Sequence, residues 1–353
     1  MISTATQDTS IPTHMGEYAG MATIADFGDV PAEFNALLSK CGVYELQWRA
    51  KAAISGSDRV RWLNGIITNN VRDLPAGSGV YAFMLNPQGR ILGDLYAYNR
   101  GDSLLVDIDS FQLQKVLAIF DRYIIMDDVE VSDITGRLSA VGIAGPEARG
   151  ALRTAGIDFP ELQPLNFVDL TWRDTPLTVV RSDAPSIESY EAWVMPENAN
   201  LLRDALETSG AMRVGTTALN LLRVAQGIPQ YGQDIREREL PHETEQNRAL
   251  HFTKGCYIGQ EIVERIRSRG NVHRKFTGFN IDGPLPPPGT KILVEGKEVG
   301  EITSSASLPL STGYRQVGLG YIRREAVVPD KAIQIDGTKL NVTALPFSEV
   351  FKR

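Results

Sequence analysis

The segment "KGCYIGQE", Lys254 to Glu261, sets one of the chain's two cysteines between glycines, behind a lysine and ahead of a carboxylate. The residues beyond it, "EIVERIRSRG", have helical spacing: Ile262 and Ile266 share a face, and Glu261 precedes Arg265 by four, the favourable ion-pair order. Cys256 is therefore expected just before a helix N-terminus with Lys254 close by. Unpaired N–H groups and a cation both favour a thiolate. Gly255 and Gly259 permit a sharp turn or a close approach of backbone to ligand. The plainer alternative is a packed, inert thiol. Asp94 in "RILGDLYAY" is a second candidate, an acid inside an apolar strand with Gly93 leaving room beside it for a ligand. Cys256 with His242, His251 and His273 matches no metal-ligand spacing, and no CxxC occurs, so no metal centre is expected from this chain alone.

These residues need elements to hold them. "LQWRAKAAISG" alternates as a strand, and "SDRVRWLNGI" reads as a short helix capped by Ser57 or Asp58. "GVYAFMLNPQGRILGDLYAY" reads as two strands joined at Asn86-Pro87-Gln88-Gly89, and a helix follows "SLLVDI". Past Met126 the order strand, strand, helix, strand, strand, helix suggests a ferredoxin-like unit ending at Gly210. The proline-rich "DGPLPPPG" then leads into short strands around glycine turns, a small β-barrel or sandwich. At 353 residues the chain suits two or three domains. A net charge of −7 argues against broad nucleic-acid binding. No apolar run approaches the ~18 residues of a membrane span. The polar start lacks a signal core or transit-peptide arginines, so the expected location is the cytoplasm, with no membrane contact.

The segment "NLLRVAQGIPQYGQDIRERELPHETEQNRALHFTKGCYIGQEIVERIRSRG" resembles the tetrahydrofolate-binding superfamily of the glycine-cleavage aminomethyltransferases, and its octet resembles the signature of the YgfZ branch. The likeness extends through "LNPQGRILGDLYAY" and "VGLGYIRRE", covering nearly all of the chain after about Ala25. It implies an α+β fold, a three-domain cloverleaf around a central hole that holds the folate. The expected parts are a flexible segment over 1–23, a discontinuous folate-binding domain over 24–127 and 211–271, a ferredoxin-like domain over 128–210 and a β-barrel over 272–353. The cofactor implied is tetrahydrofolate or a one-carbon derivative. Its pterin edge offers two parallel donors that one carboxylate can accept. Glu191 in "SYEAWV" matches the family's aromatic–acid pair with Tyr190, and Glu188 is the runner-up. Tyr81, Phe83, Met84, Tyr190 and Tyr231 are candidates for the apolar wall. Arg223 occupies the family's arginine position and would meet the anionic tail. Arg265, Arg267, Arg269, Arg274 and Lys275 would serve a polyglutamate tail, an RNA phosphate or solvent alone. Where the transferases carry two adjacent acids, this chain has Gly93 and Asp94, a single carboxylate to steer a proton at the folate nitrogens.

The function this implies is a folate-dependent factor for assembly or repair of iron–sulfur enzymes, including radical tRNA-thiolating enzymes, with Cys256, Asp94 and Lys254 as its chemical groups. The alternatives are an authentic aminomethyltransferase acting on an aminomethyl-lipoyl carrier, and a non-catalytic scaffold with a relic pocket. "YELQWRAK" lacks the Asp-x-Ser-His pattern typical of the transferases. A folate domain cut from a flavin-dependent demethylating oxidase is excluded by length and by the absence of a dinucleotide-binding Gly-x-Gly-x-x-Gly after any strand.

Overall fold

Period-two alternation decides the architecture, because it sends every second residue of a strand to the opposite face. In the computed structural model, which describes residues 13–270, 272–328 and 332–352, five strands form one antiparallel sheet. Their spatial order is Ser78–Leu85, Ile91–Asn99, Leu104–Asp109, Arg49–Ser55 and Glu130–Asp133. One face carries Ala52, Ile54, Ala82, Leu95, Leu104 and Val106. It is covered by the helices Arg59–Ile66 and Leu113–Tyr123 through Trp62, Leu63, Val116 and Phe120. The intervening positions, Arg49, Lys51, Tyr81, Asp94, Tyr96, Asp107 and Asp109, are thereby left on the other face.

A six-stranded sheet runs Phe167–Trp172, Thr175–Arg181, Ser189–Val194, Ser139–Ala144, Gly42–Glu45 and Met212–Arg213, antiparallel except for its last pair. Helices Ala148–Thr154 and Ala199–Thr208 bury one face with Val141, Ile143, Val179, Tyr190 and Ala192. Trp193, Val180 and Ala140 on the other face pack against Tyr98 and Leu105 of the first sheet. Pairing crosses the divisions expected from the sequence. Glu130–Asp133 joins the first sheet beside Arg49–Ser55, while Gly42–Glu45 and Met212–Arg213 extend the second. The strand Phe167–Trp172 is an addition to the expected order. Partners distant in the chain set these pairings, and local periodicity does not encode them.

The C-terminal strands close into a six-stranded barrel, Arg274–Ile281, Gly313–Arg323, Lys297–Leu310, Lys291–Val294, Ile333–Ile335 and Thr338–Thr343. Its side packs on the helices Val30–Ser39 and Thr216–Gln226 through Phe34, Leu37, Leu222, Leu319 and Tyr321. The expected flexible start is corrected over residues 14–23, and residues 1–12 lie outside those described. His14–Tyr18 and Met21–Asp26 form a hairpin around Ala19 and Gly20, whose φ values of 48° and 74° suit a two-residue turn.

The turn holding Cys256 lies against the Asn86–Gly89 turn. Gly259 has φ 81°, and a Cβ there would fall 2.6 Å from the Asn86 carbonyl oxygen and 2.9 Å from Leu85 Cβ. Gly255 has φ 98° but open space around it. Gly259→Ala is expected to lower the unfolding free energy by on the order of 3 kcal/mol, combining backbone strain with a clash. Gly255→Ala is expected to cost about 1–2 kcal/mol, from its left-handed backbone alone. Urea denaturation of the two variants checks the difference.

Candidate functional site

The charged face of the first sheet, the amino-terminal hairpin and the loop after helix Thr216–Gln226 enclose a central cavity of about 180 Å³. Tyr18, Trp48, Tyr81, Tyr96 and Tyr231 supply flat walls, and Arg49, Asp94, Asp109 and Arg248 supply charge. Asp94 is held from both sides. Tyr81 Oη donates to its Oδ2 at 2.7 Å, and Gln112 Nε2 donates to Oδ1 at 2.9 Å. The same Gln112 amide fills the space a second acid would need: a Cβ on Gly93 would lie 3.0 Å from Gln112 Oε1 and 2.9 Å from Met84 Cε.

Arg49 Nη1 donates to Asp109 Oδ1 at 2.7 Å, and Arg49 Nη2 lies 3.2 Å from Asp107 Oδ2. Lys51 Nζ donates to Asp107 Oδ1 at 3.1 Å with its ammonium 4.4 Å from the Trp193 ring. Burial pushes the Asp109 carboxyl up to about 6, against the pull of Arg49. For Asp107 burial acts the same way, but Arg49 and Lys51 outweigh it and hold the group below the usual range. The Arg248 guanidinium lies 4.3 Å over the Tyr81 ring and pairs with Asp183.

Two recesses adjoin the cavity. It shares Tyr18, Gln230 and Tyr231 with a recess of about 640 Å³ beside the hairpin, and Ile228 and Arg248 with one of about 400 Å³ beside the barrel.

Of the residues expected from the sequence, Asp94, Tyr81, Tyr231 and Arg223 reach this cavity together. Tyr231 donates to the Leu92 carbonyl at 2.6 Å, receives Lys115 Nζ at 3.1 Å and stacks on Phe111. Arg223 is already engaged: its guanidinium donates to Asn220, the Ile228 carbonyl, Asp234 and Ser304. That differs from the expected tail-binding role, since these four bonds serve the fold. Phe83 and Met84 are fully buried and do not line the cavity.

Glu191 is partly buried behind Arg49 and Tyr44, and its Oε2 accepts Trp193 Nε1–H at 2.9 Å. Burial and the neighbouring Asp107 raise its pKa, with Lys51 and Arg49 opposing. Tyr190 is corrected: it faces the helices, meets Phe159 edge-on at 5.3 Å and donates to Glu188 at 2.5 Å. Adjacent strand residues take opposite faces, so Tyr190 and Glu191 cannot line one site.

Lys254 is corrected too. Its ammonium donates to the carbonyls of Asn64, Ile67 and Asn69, so all three N–H bonds are directed to the end of helix Arg59–Ile66 rather than to Cys256. Burial and Arg72 push it down to about 7, while the three carbonyls favour the charged form. Cys256 itself is exposed, three residues before Gly259, the N-cap of helix Gln260–Arg269, and away from the cavity lining. In the basic cluster Arg265 is exposed, Arg267 lies over Phe252, and Arg274 pairs inward with Glu243 at 3.1 Å. The Arg269 side chain lies outside those described. Among the described residues, no three His, Cys, Asp or Glu side chains gather to hold a metal, and no helix is long and apolar enough to cross a membrane.

Sequence reasoning missed Tyr18, Trp48, Arg49, Tyr96, Asp109 and Arg248. A signal was present for some of them. "WRAK" and "LVDID" place charges two apart in otherwise apolar strands, which puts them on one face.

The GCVT N-terminal domain model matches residues 10–254, and the model for the CAF17 C-terminal beta-barrel domain matches residues 273–347. An aminomethyltransferase of Rubrobacter xylanophilus is 29% identical over 313 residues, spanning 88% of this chain and 83% of its own. A putative chloroplastic transferase of Arabidopsis thaliana is 27% identical over 286 residues, 80% of this chain and 66% of that one. Aminomethyltransferase T of the glycine cleavage system from Bartonella henselae shares the fold at a TM-score of 0.86 and 20% identity, over 96% of this chain and 95% of that chain.

Asp109 makes the site's electrostatics testable. Its folded value of about 6 lies above its ordinary 3.8, so the unfolded chain releases this proton first. Stability from this group therefore falls as pH rises from about 4 to 6. Asp109→Asn is expected to gain on wild type across that window by on the order of 2–3 kcal/mol, read from urea denaturation at pH 4, 5 and 6.5.

Proposed function

The chain belongs to the GCVT N-terminal domain family, and from that membership and its cavity we propose that it binds a reduced folate, tetrahydrofolate or a one-carbon derivative, at its centre. The observation that carries this reading is Asp94, fixed between Tyr81 and Gln112 on an aromatic-walled cavity. The donor set fits such a ligand. The flat rings of Trp48, Tyr81 and Tyr231 suit its ring systems, carboxylates suit its N–H-rich head, and Arg248 suits its anionic tail. The central cavity has room for one ring system, and the adjoining recesses supply length for the rest. Bound tetrahydrofolate supplies the nitrogens that carry a one-carbon unit.

The chain's own residues bind and orient. Each Asp94 oxygen accepts one hydrogen bond from the protein and keeps a lone pair for a ligand N–H. Tyr81 and Gln112 hold the carboxylate in place, and the aromatic walls give the ligand's rings flat surfaces to lie against. Glu191, expected from the sequence to take the head group, is not among the lining residues and supports Arg49 from behind.

The finer role proposed is support of iron–sulfur enzymes, among them radical tRNA-thiolating enzymes, in the cytoplasm. It is supported by the resemblance of the octet around Cys256 to the YgfZ signature and by the exposure of that thiol on a glycine-flanked turn. Cavity and thiol are separate, so folate binding and partner contact are assigned to different surfaces. A second reading, aminomethyl transfer, is favoured by curated relatives of that name. Against it stands the Gln112 amide occupying the place of a second acid beside Asp94.

Titration of the purified protein with tetrahydrofolate is expected to show saturable binding, weakened about 10–100-fold by Asp94→Asn. Cys256→Ala is expected to bind as wild type yet fail to restore iron–sulfur enzyme activity and tRNA thiomethylation in a deletion strain. Wild-type affinity in Asp94→Asn would contradict the site, and normal levels in the deletion strain would contradict the role. Release of ammonia and methylene-folate from an aminomethyl-lipoyl donor would favour the second reading.

A further inference from the structure

We propose that the amino-terminal hairpin is a gate on the central cavity, with Tyr18 as its closing side chain; the proposal rests on the folate reading for the choice of probe ligand. Tyr18, Gln230 and Tyr231 line both the cavity and the hairpin-side recess, so these three residues form the partition between them. Two of them are fixed. The Gln230 N–H donates to Asp234 at 2.9 Å, and Tyr231 Oη donates to the Leu92 carbonyl at 2.6 Å.

Tyr18 is held differently. Its ring meets Trp48 edge-on at a centroid distance of 4.8 Å, and among the described residues no hydrogen bond anchors its hydroxyl. A single aromatic edge contact sets no directional tether of the kind a hydrogen bond supplies. The backbone is also tethered unevenly. Strand Met21–Asp26 is tied to helix Thr216–Gln226 by Thr23 Oγ1, 3.0 Å from Thr216 Oγ1, and by Thr216 Oγ1 donating to the Ile24 carbonyl at 3.2 Å. Gly215 lets the same strand approach so closely that a Cβ would lie 2.2 Å from the Ala25 carbonyl oxygen. Strand His14–Tyr18 pairs only with Met21–Asp26 among the described residues.

A hairpin fixed along one strand and free along the other can swing about the fixed one. That swing lifts Tyr18 from Trp48 and joins the cavity to the outer recess. At the tip, a Cβ on Gly20 would lie 3.4 Å from Phe111 Cβ, close to the separation a disulfide requires. The double variant Gly20→Cys/Phe111→Cys therefore offers a reversible lock, and comparing its oxidised and reduced forms cancels any strain from the substitutions.

Stopped-flow association of 5-formyltetrahydrofolate is expected to be at least about 10-fold slower in the oxidised form than in the reduced form. Amides of His14–Tyr18 are expected to exchange with solvent at least about 10-fold more slowly once oxidised. Tyr18→Ala keeps the hairpin and removes the closing ring, and it is expected to associate at least about 5-fold faster than wild type. Association that ignores both the lock and the loss of the ring overturns the gate while leaving folate binding intact. If no folate binds at all, the reading of the cavity fails instead. Hydrogen exchange, which needs no ligand, then decides the gate alone: slowing on oxidation supports it, and unchanged exchange overturns it.

Discussion

Asp234 is fully buried, and a helix, the loop that walls the cavity and a strand of the barrel meet on its carboxylate. One oxygen accepts Arg223 Nη1 at 2.6 Å and the Gln230 N–H at 2.9 Å; the other accepts the hydroxyls of Thr303 at 2.5 Å and Ser304 at 2.7 Å. A buried charge is tolerable only when its hydrogen-bonding capacity is met, and here both oxygens are doubly engaged. Arg223 extends the network to Asn220, the Ile228 carbonyl and Ser304. Helix Thr216–Gln226, the loop from Ile228 to Ile235 and barrel strand Lys297–Leu310 are thus fixed to one another. Tyr231, whose ring walls the cavity, lies inside that loop. The barrel therefore contributes to the site without lining the central cavity: it immobilises the loop that does.

A similar economy governs the opposite wall. Alternation in three strands of the first sheet places Arg49, Lys51, Asp94, Asp107 and Asp109 on one face, where low dielectric strengthens each interaction. Arg49 bridges two aspartates and Lys51 meets one, so opposed charges stabilise what burial would otherwise neutralise. Asp94 is the exception, held by neutral donors rather than cations. Its carboxylate can answer a ligand instead of a neighbouring charge. The exposed Cys256 belongs to another surface, on a turn that Lys254 clamps by its three carbonyl contacts.

Much of this was legible in the residues. The Asn86–Gly89 turn, the strands on either side of it, Asp94 as an unusual acid, Gly255 and Gly259 as turn or close-approach glycines and a C-terminal barrel or sandwich all follow from local spacing or turn chemistry. What was not legible depends on contacts between distant segments. Nothing near Lys254 announces that its ammonium reaches carbonyls at Asn64, Ile67 and Asn69, and nothing near Arg223 announces Asp234 and Ser304 as its partners. Tyr190 was separable from Glu191 by alternation alone, yet a motif that pairs an aromatic with an acid obscured that. The hairpin at His14–Asp26 carries little local signal, because its stability comes from Thr216 and Gly215 some two hundred residues on.

The central claim is that the cavity walled by Asp94, Tyr81 and Tyr231 receives a reduced folate. A crystal structure of the protein grown with tetrahydrofolate tests it most directly. The account predicts density for the ligand's ring system within hydrogen-bonding distance of the Asp94 carboxylate. Ligand density confined to another surface, with Asp94 contacting only Tyr81 and Gln112, would contradict it.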